Sequence, residues 1–240
     1  MPLDPLLRRP DLLGSTKLLR RLRSRAHELD QHDLRDGRLP NLAPIPDYLW
    51  EQKLRYPPCN YKGDLPYWNW FKHHTEFNKS PVFGGSDTSL GGDGAFVAHD
   101  GSVVGAGRIW FPFGAGGGCV KSGAFVHFTI NIGPVQPKIQ GYIPVYTDIK
   151  SYNLRYQRRD LMIAASTSTF TALNLFNITF GEALATVGYF QDKLQGPLGR
   201  LYLHGPWHYT MGGDRSDVFT SLNSPAFYLH HAIIDRLYWI

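Results

Sequence analysis

Cysteine is scarce. Only Cys59 and Cys119 occur in 240 residues, too few for a disulfide-framework miniprotein or a four-cysteine zinc ribbon. Apolar runs are short, and none approaches the roughly 18 residues that a membrane-spanning helix needs, so no membrane span is expected. Charged residues are sparse at 19%, while hydrophobic ones reach 42%. That balance excludes wholesale disorder and leaves enough apolar surface for a packed core. The first residues carry no secretory signal, because Leu6-Leu7 is cut off at once by Arg8-Arg9. Secreted and intracellular locations both stay open.

What charge there is leans basic, 25 residues against 20 acidic, which invites a nucleic-acid reading. Much of the excess sits in residues 1–29, at Arg8, Arg9, Lys17, Arg20, Arg21, Arg23 and Arg25. No nucleic-acid-binding motif follows them. Leu18, Leu19 and Leu22 fit a short amphipathic helix, but a solvated arm is the expectation, with no nucleic-acid partner. Residues 30–66 are broken by Pro40, Pro44, Pro46, Pro57, Pro58 and Pro66, leaving only Tyr48 to Arg55 as a helical stretch. Glycine clusters between Ser80 and Gly118 predict loops with at most short strands. Alternation from Phe125 to Ile132 predicts a strand.

The second half reads as helices. Thr179-Phe-Gly-Glu182 fits a capping box, with Leu184, Ala185, Val187 and Leu194 as the apolar stripe behind it. Pro225 opens another helix that meets no breaker as far as Ile240. Histidines concentrate here. His204 and His208 are four apart, so on a helix both imidazoles leave one face. His230-His231 follows on the next helix, with Asp235 four residues after His231. Three neutral imidazoles from two facing helices make a nitrogen-rich cage of the kind copper or zinc prefers. There is no Glu beside His204, so a zinc-protease H-E-x-x-H reading fails.

The stretch His204-Gly-Pro-Trp-His208, then Met211-Gly-Gly213, then Ser224-Pro-Ala-Phe-Tyr-Leu-His-His-Ala-Ile-Ile-Asp235-Arg236 resembles the second copper motif of the tyrosinase and catechol oxidase family of type-3 copper proteins. Upstream, Trp50-Glu51, Cys59-Asn-Tyr-Lys-Gly63, Pro66-Tyr-Trp-Asn-Trp70, Ser80-Pro-Val-Phe83, Gly117-Gly-Cys119-Val, Asn131-Ile-Gly-Pro134 and Arg158-Arg-Asp-Leu161 are similar to its short fungal branch. The resemblance covers residues 48–240 and sets residues 1–47 apart as an unrelated basic, turn-rich leader. It implies a mainly α fold with a four-helix-bundle metal site, long loops and a few short strands, incomplete at both ends. It also implies copper ligands at His204, His208 and His231, because in the family the second of the adjacent histidines ligates. His230 is left a packing or supporting role, and Asp235 a place near the ligands or near Arg236.

The implied activity is oxidation of o-diphenols to o-quinones by O2, with a small phenolic substrate. Gly205 stands where an Asn is associated in the family with monophenol hydroxylation, so diphenol oxidation is the expectation. The implied disulfide, Cys59–Cys119, competes with two thiols or a thioether to a histidine. Asn78-Lys-Ser80 and Asn177-Ile-Thr179 are sequons. Ser224 and Asn69 stand where the family usually has Asp, and Ser224 is expected to cap the last helix. Pro206 requires the helix carrying His204 to begin near that residue.

The larger departure concerns the family's first copper. Its third ligand falls at Ala43, followed by Pro44, and upstream there are only His27 and His32, wrongly spaced. His73, His74, His99 and His127 lie where no family ligand is expected. One copper is therefore expected where the family holds two, so two further readings stand beside the oxidase. One is a mononuclear metal-binding or oxygen-carrier-like protein without turnover, and the other is a non-functional product.

Overall fold

The computed structural model describes residues 47–57, 59–104, 109–134, 152–196, 200–217 and 220–240. The leader residues His27, His32 and Ala43 lie outside them. Among the described residues six α-helices dominate: α1 (Asp47–Arg55), α2 (Ile163–Thr169), α3 (Ala172–Thr179), α4 (Val187–Gln195), α5 (His204–Met211) and α6 (Pro225–Tyr238). The described short strands form three separate antiparallel pairs. These are β1 (Gly94–Phe96) with β4 (Gly117–Val120), β2 (Ser102–Val104) with β3 (Ile109–Phe111), and β5 (Thr129–Ile130) with β6 (Arg155–Tyr156).

Aromatic side chains bind much of the helical part together. Trp50 of α1 stacks on Tyr228 of α6 at 4.3 Å, and Trp70 on Phe170 at 5.2 Å. The Trp68 N–H donates to the Leu229 carbonyl at 3.1 Å, which pins the tryptophan segment along α6. Asn69 caps the short helix Trp70–Lys72, its Oδ1 accepting the Phe71 N–H at 3.1 Å. Trp70 and Trp207 are fully buried, so these rings build the wall behind the histidines rather than a surface.

The glycine-rich region is held by buried charges. The Arg159 guanidinium donates to the carbonyls of Leu90, Gly91 and Gly92. Asp160 accepts the N–H groups of Gly114 and Gly116 at 2.9 and 3.0 Å. A side chain at Gly94 would meet the Gly118 carbonyl oxygen at 2.2 Å, so β1 and β4 approach closely only because glycine stands there.

Asp93 accepts the Gly94 and Leu161 N–H groups through the same oxygen, Oδ1. Burial nevertheless pushes its carboxyl from 3.8 up to about 6, with Asp160 adding to the rise. An acid whose folded value is raised binds more protons folded than unfolded, so its charge costs stability above pH 6 and the cost fades as pH falls towards 4. Asp93→Asn keeps the accepting oxygen and removes the charge. Thermal melts should show a higher Tm for the variant at pH 7.5 and a shrinking gain at pH 4.5; a lower Tm at pH 7.5 contradicts this.

Three expectations are corrected. The strand expected over 125–132 is reduced to Thr129–Ile130, because turn bonds from Val126 N to Gly123 O and from Phe128 N to Phe125 O take its first half. The capping box does not form: Thr179 ends α3, its hydroxyl donating to the Leu175 carbonyl at 2.7 Å. Gly181 at φ +79° breaks the chain there, and Thr186 caps α4 by accepting the Tyr189 N–H at 3.1 Å. Cys59 and Cys119 are not bridged. Cys59 sits in the turn after α1 and Cys119 in β4, facing Arg158 across an isolated bridge.

Candidate metal centre

Helix α5 starts at His204 and puts Pro206 in its first turn, where the missing N–H has no intrahelical partner to lose. The four-residue spacing then sets the His204 and His208 rings 5.2 Å apart on one face. Trp207 lies beside them, fully buried, with its ring 5.1 Å from that of His208. Gly212 ends the helix at φ +50°, its N–H shared by the His208 and Tyr209 carbonyls. Helix α6 packs its histidines against this face, with the His231 ring 5.4 Å from His204 and 4.1 Å from Phe227.

Each ligand candidate on α5 has its outer nitrogen fixed. His204 Nδ1 lies 3.0 Å from Gln195 Oε1, and His208 Nδ1 lies 3.2 Å from the Arg215 carbonyl oxygen. Both partners accept, so Nδ1 carries the proton and Nε2 keeps its lone pair. The Nε2 atoms of His204 and His231 are buried and meet no partner among the described residues. One ring nitrogen each from His204, His208, His230 and His231 gathers within 4.8 Å of the others.

Burial, reinforced by His204 and His231, holds His208 down at about 3, and burial with His204 holds His231 at about 4. Burial lowers His204 and drives His230 well below the usual imidazole range. All four are therefore neutral at pH 7, the form that binds a metal. Lone pairs that are buried, convergent and unpartnered are costly in an apolar setting. A metal ion satisfies them, and an all-nitrogen set suits copper or zinc. The residues fit the group that the sequence resemblance implies.

His230 joins the cluster differently. It is fully buried, and its ring lies parallel to Trp207 at 4.1 Å with an 8° interplanar angle. Both of its nitrogens lack a described partner. Asp235 stands apart: it is exposed and outside the cluster, and its main-chain oxygen accepts the Trp239 N–H. Asp235 lies one turn, about 6 Å, further along α6 than His231, near the exposed end of the helix. Arg236 instead lies over the Tyr67 ring at 5.1 Å. A Cβ at Gly205 would meet only Leu201 and Tyr209 side chains at 3.5 and 3.8 Å, so this glycine reflects no local backbone demand.

The other described histidines stay away from this group. His99 Nδ1 accepts the Gly101 N–H and its Nε2 faces Asp160 Oδ2 at 3.0 Å. His74 Nδ1 faces the Phe71 carbonyl at 3.1 Å. His73 follows the short helix at Trp70–Lys72, and His127 is exposed in a turn.

Ser224 precedes α6 without capping it. Its hydroxyl accepts from Nη2 of the buried Arg215, whose Nε and Nη1 have no partner among the described residues. Arg215 is also the residue whose carbonyl holds His208. Ser224→Ala strips that guanidinium of its described side-chain partner and should cost about 1–3 kcal/mol. Denaturant unfolding checks this; an unchanged midpoint contradicts it.

The model of the common central domain of tyrosinase matches residues 48–240. Tyrosinase P of Aspergillus terreus is 34% identical over 207 residues, covering 80% of this chain and 55% of the relative. N-acetyl-6-hydroxytryptophan oxidase ivoB of Emericella nidulans is 32% identical over 203 residues, covering 80% and 54%. Among solved structures, a variant polyphenol oxidase from Thermothelomyces thermophila superposes with a TM-score of 0.70 at 37% identity, covering 80% of this chain and 50% of that one. The chain thus spans about half the length of the relatives it matches. It belongs to the tyrosinase family of copper oxidoreductases.

Proposed function

We propose that His204, His208 and His231 hold a single copper ion, and that this centre is one of the two copper sites that oxidation of o-diphenols by O2 requires. The observation that carries the reading is the convergence of buried ring nitrogens on α5 and α6, with the His204 and His231 Nε2 atoms unpartnered. Copper bound there supplies one-electron redox chemistry. The chain's own residues supply the rest. Gln195 and the Arg215 carbonyl fix the His204 and His208 tautomers. Phe227 backs the His231 ring, and Trp207 with His230 fills the space behind the ligands with parallel rings. Gly205 itself offers no polar side chain, which favours a diphenol over a monophenol that must first lose a proton.

This reading leaves His230 outside the ligand set, as the family spacing implies: its ring is fully buried face to face with Trp207, whereas His231 is only half-buried at the edge of the core. X-ray absorption at the copper edge tests the assignment. Three imidazole nitrogens at about 2.0 Å are expected; one or two imidazoles, or sulfur, would overturn it.

A mononuclear metal-binding role without turnover is the second reading. One observation favours it: among the described residues this is the only group of histidine, cysteine and carboxylate side chains able to hold an ion.

A further inference from the structure

We propose that Gln195 is the positioning residue for His204 and sets how tightly the centre holds its metal; this rests on the copper reading above. The amide oxygen of Gln195 lies 3.0 Å from His204 Nδ1. An amide oxygen only accepts, so it fixes the proton on Nδ1, aims the ring and leaves Nε2 free for the metal. His208 is served by a main-chain carbonyl, which no substitution removes. His204 therefore depends on a replaceable side chain.

The placement of Gln195 is built into the fold. It is the last residue of α4, a helix capped by Thr186 and anchored by buried Phe190 and Leu194. The Leu203 N–H donates to the Leu194 carbonyl at 3.1 Å, tying the end of α4 to the residue before His204. Between them Gly196 takes φ +73°, and a Cβ there would fall 1.9 Å from the Tyr202 ring. Only glycine takes this backbone conformation with Tyr202 packed over it. The Leu203–Leu194 bond keeps the end of α4, and with it the amide, beside the imidazole. Gln195 itself is exposed, so its replacement disturbs no packing.

The test compares metal-free and copper-loaded wild type, Gln195→Leu and Gln195→Glu. Chelator competition should show a copper affinity about 10–100-fold weaker for the leucine variant, with the metal-free Tm unchanged. The glutamate variant keeps an accepting oxygen and should match or exceed wild type. Long-range proton–nitrogen NMR of the metal-free proteins should show His204 wholly in the Nδ1–H tautomer in wild type and as a mixture in the leucine variant. Equal affinities for wild type and the leucine variant, or a glutamate variant as weak as leucine, would overturn the proposal. A wild type that binds no copper would overturn the copper reading instead, and the tautomer spectra would still decide the role of Gln195.

Discussion

Copper retention should vanish when His208 is replaced by alanine. After copper loading and desalting, elemental analysis should find about one ion per chain in wild type and only traces in His208→Ala. His204→Ala and His231→Ala should behave alike, because a site with three nitrogen ligands that loses one falls below the coordination copper needs and opens to water. His230→Phe is the counterpart. Phenylalanine keeps the flat ring against Trp207 and removes two buried nitrogens that have no described partner, so copper should stay. If His208→Ala keeps its copper while His230→Phe loses it, the ligand set has been drawn wrongly.

The copper-loaded chain should consume no oxygen with catechol. Forming a quinone removes two electrons, and one copper accepts one per cycle. Residues 1–47 hold only His27 and His32, and Ala43 occupies the position where the family resemblance expects a ligand. Ala43→His should not rescue turnover, since a single added imidazole does not complete a second three-nitrogen site. An oxygen electrode gives the answer directly. Steady uptake above the free-copper background would mean that histidines elsewhere complete a second centre.

The parts of the site that follow helical periodicity were legible in the sequence. The four-residue spacing of His204 and His208, and Pro225 as a helix start, put the histidines on facing helices before any coordinates. What supports them was not. Gln195 is kept beside His204 by the Leu203–Leu194 main-chain bond, and Arg215 serves His208 through a carbonyl, which side-chain identity does not reveal. Local patterns also lost to long-range contacts. The alternating apolar pattern over 125–132 yielded to turns, and Ser224 left its capping role to meet a buried guanidinium. Asp235, which the family spacing put either near the ligands or near Arg236, is exposed.

The central claim is one copper on three imidazoles in this chain. Copper and protein should be quantified on the same loaded sample, and its electron paramagnetic resonance signal integrated against a copper standard. The account predicts one copper per chain, all of it visible as an isolated Cu(II) ion with nitrogen couplings. Two coppers per chain with most of the signal missing, as a coupled pair would give, or no retained copper at all, would contradict it.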